Sequence, residues 1–212
     1  MEETGQIQLG TPFGDRLYSL CAKNSAVKTV VEIGTWKGLG STKCIMQGLS
    51  DSGKDGVSFF SLEAEQGMHE TACRAWQDKL PSWAHLIHGR IVERTEMNST
   101  DLGSGHPDEE RWFKQDASAF ESCPNVLNFL PDTIDFLFLD GGEFSTYSEY
   151  TKLKNRSQFI GMDDSTQRKC RRIREEILSD SDRYEILIDN PWYRNGVLIC
   201  RNRTYHKFIN CG

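Results

Sequence analysis

The sequence lacks a long apolar run: no stretch approaches the ~20 residues of a membrane span, and the mean hydropathy is −0.56. No basic-then-apolar pattern opens the chain, so no secretory leader is expected. It lacks a CxxC pair as well. Its seven cysteines, Cys21, Cys44, Cys73, Cys123, Cys170, Cys200 and Cys211, are scattered and odd in number, which predicts reduced thiols and a cytoplasmic setting. Positive charge is not in excess. Arg and Lys total 25 against 31 Asp and Glu, a net charge of −6, which disfavours a nucleic-acid or anionic-membrane partner. No internal repeat or low-complexity segment stands out. At 212 residues the chain is expected to form a single domain, 1–212, with a full core.

What is present is an alternation of short apolar runs and helical spacings. Strands are predicted over 28–33, 57–63, 83–92, 134–139, 158–162, 184–188 and 196–201. Helices are predicted over 13–26, 41–49, 67–80, 116–129 (interrupted at Pro124), 145–153 and 166–178. Residues 1–12 read as a loose lead-in, and 93–111 as a long polar loop. Strands alternating with helices predict an α/β fold, a mostly parallel seven-stranded sheet with helices on both faces. The last two strands are joined only by Asn190–Asn195, which predicts an antiparallel C-terminal edge.

The most informative stretch is Thr29–Thr42, TVVEIGTWKGLGST. A buried strand ends in Glu32, a loop carrying Gly34, Gly38 and Gly40 follows, and Ser41 and Thr42 open a helix. Glycines let backbone approach a ligand closely, and the helix start offers free N–H donors. The spacing is not the GxGxxG of a dinucleotide fold, nor does a Gly-Lys-Ser/Thr phosphate loop occur. Acidic side chains recur at the predicted strand ends: Glu32, then Glu63 or Glu65, then Asp140, then Asp163 with Asp164. In open α/β sheets those ends border the ligand crevice. Glu63 lies about one βαβ unit beyond the glycine loop, where a carboxylate accepts hydrogen bonds from ribose hydroxyls.

Glu-Ile-Gly-Thr-Trp-Lys-Gly with the following Ser-Thr resembles motif I of class I S-adenosylmethionine-dependent methyltransferases, closest to the methyltransferase-24 and macrocin/cephalosporin-type small O-methyltransferases. Asp140-Gly-Gly-Glu143 is similar to that group's acidic segment after strand four, and Met162-Asp163-Asp164 to its Asp-Asp pair after strand five. Two departures stand out: Gly40 is inserted before Ser41, and Glu143 takes a position where the group often has His. The resemblance implies a Rossmann-like fold, S-adenosylmethionine as methyl donor, and a sugar or glycan hydroxyl, such as that of a deoxyhexose like rhamnose, as acceptor. Catechol- or antibiotic-type acceptors, or a non-catalytic cofactor-binding module, are the alternatives. It further implies cofactor contacts from Glu32, Gly34, Thr35, Trp36, Gly38, Ser41, Thr42, Glu63, Gly89 and Asp116. A divalent ion, Mg²⁺ or Mn²⁺, would sit on Asp140, Asp163 and Asp164, with Asp140 and Glu143 catalytic and Glu143 the first candidate base; His88 and His106 are reserves. A fainter likeness, to the methyltransferase domain of a large-virus glycan-synthesis protein, implies fusion to or association with glycosyltransferase domains. The basic run Arg168, Lys169, Arg171, Arg172 and Arg174 reads as a solvated helix face.

Overall fold

The computed structural model describes residues 5–97 and 107–205; His106 lies outside them. Seven strands, β1 (Thr29–Ile33), β2 (Ser58–Glu63), β3 (Ala84–His88), β4 (Ile134–Leu139), β5 (Ser157–Met162), β6 (Tyr184–Asn190) and β7 (Val197–Asn202), form one sheet in the order β3-β2-β1-β4-β5-β7-β6. The first five run parallel, and β7 is antiparallel to both β5 and β6. The Rossmann-like expectation holds, with a refinement at its end: β7 inserts beside β5 and leaves β6 at the edge.

Among the described residues, six α-helices cover the sheet: α1 (Pro12–Lys23), α2 (Ser41–Asp51), α3 (Gln66–Trp76), α4 (Glu109–Ser122), α5 (Thr146–Leu153) and α6 (Arg168–Ser179). The central strands are apolar on both faces because both are covered. Val30 packs with Phe13, Leu17 and Ile45 from α1 and α2. Its neighbour Val31 points the other way, into a core shared with Phe120, Tyr150 and Ile173 from α4, α5 and α6. Among the described residues no helix is long and apolar enough to cross a membrane.

Several elements depart from their predicted bounds, α3 ending at Trp76 rather than Leu80 and α1 at Lys23 rather than Ala26, and three departures bear on the site. Strand β3 ends at His88 rather than Val92, because its one neighbour, β2, stops pairing at Glu63; beyond it Arg90 pairs with Asn125 instead. Helix α4 begins at Glu109, inside the stretch read as loop, with Trp112 and Phe113 both packed on the core about two turns before Phe120. It stops at Ser122 because Cys123, preceding Pro124, is extended. From residue 5 on the lead-in is not loose: Ile7 is buried in the core beside Phe13.

Glu32 binds these layers together. It is completely buried and accepts hydrogen bonds from Ser41 Oγ (2.7 Å), Thr42 Oγ1 (2.7 Å) and Ser61 Oγ (2.5 Å). One carboxylate at the end of β1 thereby ties down β2 and the first turn of α2. Burial pushes its pKa up to about 7, against the opposing pull of the three hydroxyls.

Removing it as Glu32→Ala takes the acceptor from the Ser41 and Thr42 hydroxyls and leaves Ser61 only Thr35 as partner, and should cost about 2–4 kcal/mol in urea denaturation. The folded chain holds the Glu32 proton more tightly than the unfolded one. Its contribution to stability is therefore full below about pH 4.5 and lost as pH rises through about 7. Since glutamine does not titrate, the stability difference between wild type and Glu32→Gln should fall between about pH 5 and about pH 8.

Candidate active site

Because β1, β2, β4 and β5 are parallel, their carboxyl ends open on one edge. A cavity of about 1060 Å³ lies there, over the point where β1 neighbours β4 and the strand order reverses, the usual ligand crevice of open α/β sheets. Gly34 lets the two strand ends meet. Its φ is +96°, and a Cβ on it would lie 2.2 Å from the carbonyl oxygen of Asp140. Gly89 is equally tight, since a Cβ there would meet the Val126 side chain at 2.6 Å.

The glycine loop presents Gly34, Thr35, Trp36 and Ser41 to the cavity. Glu63, from the end of β2, also lines it. One of its carboxylate oxygens accepts the Trp36 N–H at 2.7 Å and the other accepts the Glu65 N–H at 2.9 Å. Burial raises the Glu63 pKa, and those two N–H groups oppose the rise. Glu65 turns instead to cap α3, accepting the N–H groups of Gly67 and Met68. Gly89 and Asp116 complete the side of the cavity beyond Glu63, and burial pushes Asp116 up to about 6.

Four expected site residues do not line the cavity. Glu32 and Thr42 spend their polar atoms on each other, as described above. Gly38 packs against Ala72 of α3, and its carbonyl accepts the Trp76 indole N–H at 2.7 Å; its φ of +71° serves the turn. Glu143 faces α6, where its carboxylate accepts the backbone N–H of Lys169. Its pKa is raised by burial, with the Lys169 charge opposing. His88 is a packing residue, half-buried, with Nε2 3.2 Å from the Ala64 carbonyl.

On the opposite wall the carboxylates of Asp140, Asp163 and Asp164 come together, with one oxygen from each within 4.8 Å of the others. This donor set is one a divalent ion uses, but the chain has already furnished it with cations. Lys169 Nζ lies 2.6 Å from Asp140 Oδ1 and 2.9 Å from Asp164 Oδ2. Arg194 Nη2 lies 2.9 Å from Asp163 Oδ2. Burial would pull the Lys169 pKa down, but the two carboxylates outweigh it and the ammonium is held well above its ordinary range. Each carboxylate of the triad thus already holds a cationic side chain, and an ion would have to compete with Lys169 and Arg194 for it. Asp163 Oδ1 has no partner, although Asp163 is buried and borders the cavity.

Sequence reasoning missed Glu149, Lys169, Arg194 and the Gly5–Ile7 segment, which crosses the glycine loop at Gly40. The inserted Gly40 lies against this segment, but a Cβ on it would make only ordinary contacts, 3.4 Å to the Ile7 carbonyl and 3.7 Å to the Gly5 Cα, so this packing does not itself require glycine. Glu149 of α5 is buried on the cavity wall with one oxygen unpartnered, and burial pushes it up to about 8. For Lys169 a signal existed. It stands four residues before Ile173 and eight before Ile177, so it belongs to the buried face of α6 rather than the solvated one. Arg174, by contrast, pairs with Asp189 of β6. Arg194 carried no signal; a turn stitched by the Ser165 and Thr166 N–H groups to the Gly196 and Asn195 carbonyls brings it in.

Backbone conformation marks the same place. Among the described residues the non-glycine residues with positive φ are Trp36 (49°), Asp164 (51°) and Arg194 (55°), and all three line the cavity. Such conformations persist where surroundings over-determine them, commonly at ligand sites.

No family model matches the chain, and no curated protein matches it. Solved structures do resemble it. An O-methyltransferase from Bacillus cereus in complex with SAH superposes with a TM-score of 0.61 at 14% identity, over 94% of this chain and 84% of that one. The SAH-bound methyltransferase PaMTH1 of Podospora anserina gives 0.58 at 16% identity, over 90% and 78%. TomG of Streptomyces achromogenes, an O-methyltransferase involved in tomaymycin synthesis and solved with SAM, gives 0.55 at 15% identity, over 90% and 79%. At such identities the likeness is one of fold: the chain has the Rossmann-like architecture of these methyltransferases. The cavity fits S-adenosylmethionine on its own terms. It joins a glycine cradle to the acceptors Glu63, Asp116 and Glu149, and the ligand offers ribose hydroxyls and amino groups to such acceptors.

Gly34→Ala should therefore be severe, adding a disfavoured φ to a backbone clash. A loss of about 3 kcal/mol or more is expected, read as a large drop in Tm by calorimetry together with loss of S-adenosylhomocysteine binding.

Proposed function

We propose that this chain is an S-adenosylmethionine-dependent O-methyltransferase acting on a hydroxyl of a sugar or glycan. The observation that carries the reading is the facing of two walls across one cavity. Glu63, clamped on the Trp36 amide beside the glycine loop, offers a carboxylate to the ribose. Opposite it, the triad and Arg194 offer charge to an acceptor. The fold shared with SAH- and SAM-bound methyltransferases supports the donor half.

Bound in this cavity, S-adenosylmethionine would supply a sulfonium methyl open to in-line displacement. The chain must then orient an acceptor oxygen toward that methyl and take its proton, because a sugar hydroxyl is a weak nucleophile at neutral pH. Glu143, turned away toward α6, is poorly sited for this. Asp163 Oδ1, unpartnered at the cavity wall, is the better acceptor of the proton, and Asp140 beside it orients the acceptor hydroxyl. A sugar suits the acceptor side. Trp192, two residues before Arg194 but not itself lining the cavity, is 91% exposed and offers an apolar face to a ring whose rim carries hydroxyls. A divalent ion is left out of this reading, since each carboxylate of the triad already holds a cationic side chain.

Calorimetric titration should show S-adenosylmethionine binding, weakened about ten- to a hundredfold by Glu63→Ala, the cost of losing a charged hydrogen-bond acceptor. A panel of sugars, catechols and macrolides with labelled methyl donor should give transfer to a sugar. Transfer to a catechol or macrolide instead would make this a small-molecule enzyme of the alternative type. Tight cofactor binding with no transfer at all would make it a binding module. With an acceptor in hand, Asp163→Asn should lower kcat by about 10²–10⁴ while leaving the KM for S-adenosylmethionine nearly unchanged.

A further inference from the structure

Lys169 is the most anomalous charge in the molecule. Lysine is almost never buried without a partner, and this one is only 8% exposed. It is the second residue of α6, where the helix dipole favours negative charge and opposes an ammonium. Both penalties demand a compensating interaction, and only carboxylates supply one of that size. Asp140, at the end of β4, and Asp164, after β5, each give an oxygen to Nζ, at 2.6 and 2.9 Å. The charge count is informative. Three carboxylates crowd within 4.8 Å, an arrangement that repels itself unless cations intervene, and Lys169 with Arg194 contributes two.

We propose that the Lys169 ammonium is the resident cation of this carboxylate triad, taking the position a divalent ion would otherwise fill, so that the site works without a metal. The ammonium sits between Asp140 and Asp164. An ion coordinated by the same oxygens at the ~2.1 Å of Mg²⁺ would collide with Nζ and face its charge. A protonated lysine has no lone pair to offer an ion. The last clause of the proposal rests on the methyltransferase reading; the occupancy of the site by Lys169 does not.

Lys169 does not itself border the cavity, whereas Asp140, Asp163, Asp164 and Arg194 do. It is a positioning residue. It consumes the inward-facing oxygens of Asp140 and Asp164 and holds both side chains still. Arg194, whose Nε and Nη1 have no hydrogen-bond partner, secures Asp163 through one oxygen and leaves the other without a partner. The ion-paired frame thus fixes which carboxylate oxygen meets the acceptor.

The test is Mn²⁺ titration of the chelator-stripped full chain, followed by the electron paramagnetic resonance signal of free Mn²⁺. Wild type should leave the signal undiminished, and Lys169→Met should bind Mn²⁺ at least about tenfold more tightly. The gained binding should vanish in Lys169→Met/Asp140→Asn. A lysine that merely braced α6 would give no such gain. Lys169→Arg should behave as wild type. Stoichiometric Mn²⁺ binding by wild type, abolished by Asp140→Asn, overturns the proposal, even if Lys169→Met does not fold and whether or not a methyl acceptor is known. Where an acceptor is known, wild-type turnover should survive exhaustive chelation; its loss, with recovery on adding Mn²⁺, equally overturns it.

Discussion

The site depends first on a buried carboxylate that never touches it. Glu32 accepts hydroxyls from α2 and β2 at once, so the turn between β1 and α2 has its two ends fixed before the glycines bend it. With the ends fixed, Trp36 is held at positive φ and its N–H is aimed at Glu63. Glu63 in turn receives a second amide from the chain beyond β2. A single desolvated group thus propagates order from the strand ends into the cavity wall. The arrangement is tolerable because three donors meet a charge that burial would otherwise expel.

The opposite wall uses the same physics with ion pairs. Carboxylates converge there because parallel strands β4 and β5 end side by side, and like charges at that spacing need counter-charge. The chain supplies it from two distant elements, α6 and the turn before β7. Each brings a cation that would be costly where it lies without its partners. Two of the three left-handed non-glycine residues, Asp164 and Arg194, belong to this wall. Strain and buried charge have been concentrated where the cavity is, and the apolar layers on either side of the sheet carry them.

Much of this was legible beforehand. Strand and helix alternation gave the sheet, and the acidic strand ends marked the rim, because parallel topology sends every strand end to one edge. Glu63, Asp116, Gly89 and the three aspartates all reach the cavity as expected. Glu32, Gly38, Thr42 and Glu143 did not, for a common reason. A motif shows that a residue is near a turn, but which way its side chain points depends on what packs behind it: Ser61 for Glu32, Trp76 for Gly38, the start of α6 for Glu143. Helix α4 and the end of β3 were misjudged because polar composition and apolar composition were read without the neighbours that stop or sustain pairing.

The sequence alone determined the order of elements, the parallel direction of the first five strands and the chemistry of the rim, since periodicity, glycine and charge act over a few residues. Tertiary structure alone decided that Lys169 is inside rather than outside, that Arg194 reaches Asp163 across 31 positions of chain, and that Gly5–Ile7 closes over the glycine loop. Those contacts join residues far apart in sequence. Their energies come from desolvation and from counter-charge, and neither exists until the strands have brought the carboxylates together.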